Sequence, residues 1–382
     1  MDGKQSIYAD HASTTRLDPV VFEAMLPFLQ NSYGNPSSLH SFGRAARKAL
    51  ESARQEIAHC IGATPEEVFF TSCGTEGNNW AVKGSAHALR SEGTHLIASA
   101  IEHHAVLECC AALDREGFTT ALLPVDCHGL VSVEDLHTAI TPRTTFVSIM
   151  LANNEIGTIL DIRDLVAAAH QHGLVFHSDA VQALGHIPVH VDDLGVDLLS
   201  ASSHKFNGPK GIGFLYRRNG IRLTAYLDGG RQEAGERAGT ENVAGIVGMA
   251  CALKTHLASL SDNMRRLQLM EEAIKARVSA AFPDVRFNGH PKQHLPGLVS
   301  LSFPDISGES LLHLLDLEGI FVSTGAACTS KDLVVSHVLQ AIELPAAYSA
   351  GTLRISLSKD NTEAEAVAIA AAVVSATRKL RR

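Results

Sequence analysis

The sequence has no C-x-x-C pair, although seven cysteines stand at positions 60, 73, 109, 110, 127, 251 and 328. An odd, unpatterned set of thiols fits neither a disulfide framework nor a zinc or iron–sulfur site built from this chain alone. Free thiols make a reducing cytoplasm the expected compartment. A basic excess is also missing: 32 Lys+Arg stand against 41 Asp+Glu, a net charge of −9. That balance argues against a nucleic-acid backbone or an anionic membrane as the main partner. Long apolar runs are lacking as well. The longest, residues 366–374, falls far short of the roughly 18 residues that span a bilayer. The opening MDGKQSIYAD shows no basic stretch followed by an apolar one of the kind that directs secretion. With 45% hydrophobic and 19% charged residues over 382 positions, the chain has ample material for a folded, soluble protein of about two or three domains.

Short apolar runs at residues 68–70, 95–100, 119–125, 145–151, 174–178, 196–200 and 211–216 read as strands. Amphipathic segments at 75–90, 103–115 and 162–171 separate several of them. Strands alternating with helical patterns of this length imply βαβ units and a mostly parallel sheet, with ligands at the carboxyl ends of its strands. Residues 244–281 read as a long helical connector, interrupted near 259–261. Beyond it, strand patterns at 297–303, 319–322 and 352–357 and helical patterns at 309–317, 332–342 and 363–380 describe a smaller α+β domain.

The candidate chemistry gathers at strand ends. Asp179 closes one strand and Lys205 lies in the turn SSHKFNGPKG after the next. A carboxylate and a lysine so placed can hold a pyridinium nitrogen and a Schiff base, the arrangement pyridoxal phosphate requires, or can form a structural ion pair at the sheet edge. Thr71-Ser72-Cys73-Gly74-Thr75-Glu76-Gly77-Asn78-Asn79 follows a strand and opens a helix. Hydroxyls and backbone N–H groups there suit one phosphate, or a plain helix cap. Neither G-x-x-x-x-G-K-[ST] nor G-x-G-x-x-G is present, which disfavours nucleoside triphosphates and dinucleotides. His103 falls at the same rim, where an imidazole stacks on a flat ring or moves a proton. The pairs His170/His172 and His186/His190 come without a carboxylate or cysteine at ligand spacing, so no metal is expected. In residues 352–357, Leu353, Ile355 and Leu357 alternate with Thr352, Arg354 and Ser356; Arg354 is either a carboxylate clamp or a solvated edge cation. Cys328 sits in the small, polar loop 323–330, as an activated thiol or as filler.

Together, and in this order, several motifs closely resemble the cysteine desulfurases of the NifS/IscS type, over nearly the whole chain. They are residues 8–15 (YADHASTT), 34–38 (GNPSS), 70–72, 75–76, 102–103, 153–157 (NNEIG), 177–182 (HSDAVQ), 202–205 (SSHK), 208–211, 237–242 (RAGTEN) and 323–330. The resemblance implies the aspartate aminotransferase fold, fold type I of pyridoxal-phosphate enzymes: a large domain with a mostly parallel seven-stranded sheet at 15–258, and a small α+β domain from 1–14 and 259–382. It implies that Lys205 carries the cofactor as a Schiff base, Asp179 meets its ring nitrogen, His103 stacks on the ring, and Gln182 and Asn154 meet its phenolic oxygen. Gly74, Thr75, Ser202 and His204 hold its phosphate, joined by Thr240 from the other subunit of a homodimer. Asn35 and Arg354 bind the carboxylate of L-cysteine, and Cys328 takes the sulfur as a persulfide. L-alanine and sulfur transfer to an acceptor protein such as an iron–sulfur scaffold follow. A selenocysteine lyase or another enzyme of this fold is the alternative. His11, Cys73-Gly74, Gly77 and Ser203 depart from the family's usual residues without removing a group the chemistry requires.

Overall fold

Residues 6–324 and 335–381 are described by the computed structural model of the chain. Among these residues twelve strands run in chain order: β1 (Ile7–Tyr8), β2 (Val68–Thr71), β3 (His95–Ser99), β4 (Thr119–Leu123), β5 (Thr144–Ser148), β6 (Val175–Asp179), β7 (Leu198–Ser202), β8 (Gly213–Arg217), β9 (Arg286–Phe287), β10 (Leu298–Ser302), β11 (Ile320–Phe321) and β12 (Thr352–Ser356). The seven apolar runs before residue 220 form one sheet in the order β2-β8-β7-β6-β5-β3-β4. The neighbours from β7 to β4 are parallel, whereas β8 runs antiparallel to both β2 and β7. Strands β2, β5 and β7 are buried along their whole length, as their unbroken runs require in a sheet covered on both faces.

Helices Gly74–Ala88, His104–Asp114 and Ile162–His170 supply crossovers. The first is rich in small residues and buried along most of its length, with Trp80 fully enclosed and its Nε1 donating to Thr224 O at 3.0 Å. Small side chains let that helix lie close to the sheet while a single indole fills the remaining depth.

The expected connector resolves into two helices, Val243–Ala258 and Leu260–Ala281, bent by 70° at their junction. Each half serves a different core. Ile246, Met249 and Leu253 pack with the large sheet. Leu267, Met270, Ile274 and Val278 pack instead with Ile7, Ala9, Leu353, Ile355 and the helix Glu363–Leu380. That second core covers an antiparallel sheet β12-β10-β9, with β1 and β11 paired in parallel beside it. A Thr362/Glu365 capping box starts the last helix, and Arg378 and Lys379 lie in its final turn, where cations favour the dipole. No single helix among the described residues is long and apolar enough to cross a membrane.

Candidate active site

The carboxyl ends of β3, β5, β6 and β7 and the start of helix Gly74–Ala88 open into one cavity of about 620 Å³. Its far wall carries Arg354 of β12 and the segment Val335–His337. A crevice outside the strand ends is where an open α/β sheet leaves backbone and side-chain groups for a ligand.

Asp179 ends β6 and is 4% exposed. One carboxylate oxygen accepts from Asn78 Nδ2 at 2.6 Å and the other from the Val181 N–H at 2.9 Å. Asn78 is a site residue that the sequence reading passed over, although it stands one helical turn beyond Gly74 and Thr75 and so shares their face. Lys205 lies in the short 3-10 turn after β7, its Nζ donating to Ala12 O at 2.5 Å and Ser13 O at 2.9 Å. His186 bonds the Lys205 carbonyl at 2.9 Å, and burial pushes that imidazole down to about 4. It is therefore neutral and holds the turn as a hydrogen-bond donor.

At the expected anion cradle, Cys73 caps the helix without a side-chain hydrogen bond, so nothing from Cys73 covers the N-terminal N–H groups. A Cβ on Gly74 would stand 2.4 Å from Val181 Cγ2, which is why glycine is required there. Ser202 Oγ is buried without a hydrogen-bond partner among the described residues. His204 contacts Thr14 Oγ1 at 3.1 Å, and burial, with Lys205 and Lys210 behind it, lowers it to about 4. Thr75 also lines the cavity.

His103 caps helix His104–Asp114, its Nδ1 accepting the Ala105 N–H at 3.0 Å. A neutral ring must then carry its proton on Nε2, and burial holds the group below the ordinary histidine range. Asn154 and Gln182 line the same space. Gln182 Oε1 and Arg354 Nε are buried and lack a partner among the described residues. Arg354 is 2% exposed, which removes the solvated-edge reading. Its guanidinium reaches Asp10 Oδ1 at 2.8 Å, Ser13 Oγ at 2.7 Å and Asn154 O at 2.9 Å.

Two expected residues stand apart from the cavity. Asn35 is exposed and its Oδ1 accepts the Ser37 N–H at 2.8 Å, while Thr240 is exposed beyond the Arg237–Glu76 ion pair. Neither lines the cavity within one chain. Cys328 lies outside the described residues. Glu102 and Glu155 line the cavity although no role was drawn for them from the sequence; burial raises both carboxyls.

Residues 7–369 match the aminotransferase class-V family. The chain belongs to that family. A class-V relative from Dictyoglomus turgidum called cysteine desulfurase IscS is 49% identical over 360 residues, covering 94% of this chain and 91% of the relative. A solved structure described as a NifS-like protein superposes with a TM-score of 0.93 at 37% identity, covering 98% of this chain and all of that one (100%). SspA in complex with cysteine superposes with a TM-score of 0.82 at 33% identity, covering 94% of this chain and 100% of that one. The mostly parallel seven-stranded sheet agrees with the fold expected of this class-V chain.

Proposed function

We propose that this chain is a pyridoxal 5′-phosphate-dependent cysteine desulfurase that converts L-cysteine to L-alanine and leaves the sulfur as a persulfide on Cys328. The observation that carries the reading is one cavity with Lys205 and Asp179 at adjacent strand ends and Arg354 on the opposite wall. The donor set fits the cofactor: an amine, a carboxylate, a helix start without a side-chain cap, and Ser202 Oγ and Gln182 Oε1, both without a partner among the described residues. Bound pyridoxal phosphate supplies an aldehyde for a Schiff base and a pyridinium that withdraws electrons from the substrate Cα.

The chain's own residues do the rest. Gly74, Thr75, Ser202 and His204 hold the phosphate, Asp179 holds the ring N–H, and Gln182 and Asn154 face the phenolic oxygen. His103 covers the ring and, with its proton on Nε2, is a donor on that side. Arg354 and Asn35 orient the substrate carboxylate. Lys205 Nζ takes up the Cα proton and returns it. The Cys328 thiolate attacks the substrate sulfur, so that an S–S bond forms as the Cβ–S bond breaks. That bond's electron pair stays with the carbon skeleton, which is protonated to alanine.

Residues 15–258 form the cofactor domain in this reading, with 1–14 and 259–382 the smaller domain bearing the acceptor cysteine. The working unit is a homodimer in which Thr240 completes the partner's phosphate site. Exposed large apolar side chains support it, Leu39 at 84% and the neighbouring rings of Tyr33 and Phe42 among them, because such surface calls for a cover. A cytoplasmic enzyme handing sulfur to an acceptor such as an iron–sulfur scaffold completes the reading. Incubation with L-cysteine should yield alanine and a persulfide-bearing peptide around residue 328 by mass spectrometry. Lys205→Ala should abolish alanine formation and Cys328→Ser the persulfide; alanine formed at full rate by either variant would refute its assigned role.

A further inference from the structure

The chemistry above leaves two cavity-lining carboxyls, Glu102 and Glu155, without a task, and of these Glu102 has a buried oxygen with no partner among the described residues. Glu102 follows β3 and is fully enclosed, 0% exposed, yet it forms part of the cavity wall. Its Oε1 accepts two hydrogen bonds, from Ser99 Oγ at 2.6 Å and from the Met150 N–H at 2.8 Å. Its Oε2 has no hydrogen-bond partner among the described residues. A carboxyl oxygen that takes two donors acts as the carbonyl oxygen of an acid. An ionised group here would leave charge on a buried oxygen with no donor.

The surrounding groups point the same way. Asp179 approaches from β6 as a second carboxyl, and Cys110 from helix His104–Asp114 feels Glu102 as an acidic neighbour. His103 and His104 follow in the chain, and His337 of the helix His337–Ala341 bonds the Glu102 carbonyl through Nε2 at 2.9 Å. Asp179 has donors on both oxygens, whereas Glu102 has them on one only.

We infer that Glu102 is kept as the neutral acid, so that the wall behind the cavity carries no second negative charge beside Asp179. Burial is the main cause that lifts its titration to about 8; Ser99 and Met150 oppose the rise, and Asp179 adds to it. Above that pH the enclosed acid becomes an anion behind the cavity wall, which repels a phosphate-bearing ligand. The inference rests on the cavity being the cofactor site, but its first test needs neither cofactor nor turnover.

Infrared spectra of cofactor-free protein should show a carboxylic-acid carbonyl band at pH 6 that shifts in D2O, is half lost near pH 8 and is missing in Glu102→Gln. Ser99→Ala, which removes a donor to the ionised form, should move that midpoint upward. A midpoint in the ordinary carboxylate range, or identical bands in the wild type and Glu102→Gln, would overturn the assignment. Pyridoxal phosphate titrated into the cofactor-free wild type should bind about tenfold more weakly at pH 9 than at pH 7, because binding would have to reprotonate Glu102. Glu102→Gln cannot ionise and should lose that dependence. The same alkaline loss in both proteins would refute the role toward the cofactor while leaving the desulfurase reading to its own test.

Discussion

Arg354 shows what one residue gains from its surroundings. The alternation in residues 352–357 puts it on the face away from Leu353 and Ile355, but alternation alone allows either a solvated cation or a clamp. Pairing of β12 with β10 and the approach of Asp10 decide between them, and the guanidinium ends 2% exposed. Nη1 and Nη2 are committed to Asn154, Asp10 and Ser13, while Nε has no partner among the described residues. A planar fork can serve Asp10 and a substrate carboxylate together, which an ammonium on a flexible stem cannot. Arg354→Lys should therefore raise KM for L-cysteine by about tenfold or more with a smaller change in kcat. Initial rates of alanine formation would show it, and an unchanged KM would remove Arg354 from carboxylate binding.

At the scale of elements, the start of helix Gly74–Ala88 is the most demanding piece of backbone. Strand, turn and helix are all readable locally, because a strand pattern gives way to small and polar residues and then to a helical one. What local pattern cannot carry is the approach of Val181 to Gly74, or the bond from Asn78 to Asp179 across 101 residues of sequence. Gly74→Ala forces its Cβ against Val181 Cγ2, so the helix N-terminus must shift away from where the cofactor phosphate is proposed to sit. The expected outcome is about a tenfold loss of affinity for pyridoxal phosphate, measured by titrating cofactor-free protein, with far-UV circular dichroism unchanged. Affinity equal to wild type would show that the phosphate does not sit there.

For the whole molecule, the exposed residues Leu39 at 84% and Tyr33 at 72% flank Asn35, a residue that lies outside its own chain's cavity. A second copy covering that surface would account for both facts. Leu39→Asp combined with Phe42→Asp places charge where apolar area would be buried, and should shift sedimentation from dimer to monomer. Desulfurase activity should fall with it, since Thr240 would no longer complete a partner's site. A stable dimer in the double variant would move the interface elsewhere.

Strand and helix order, the mostly parallel sheet, and the placement of Asp179, Lys205 and His103 at strand ends were all legible in the sequence. They depend on periodicity and turn residues within short windows, where hydrophobic burial leaves a direct trace. Only the tertiary structure decided the antiparallel course of β8, the bend that splits residues 243–281 between two cores, the Arg354–Asp10 ion pair across 344 residues, and the enclosure of Glu102. Each of these turns on desolvation and on contacts between distant segments, and a group's charge state follows from who surrounds it rather than from its neighbours in the chain.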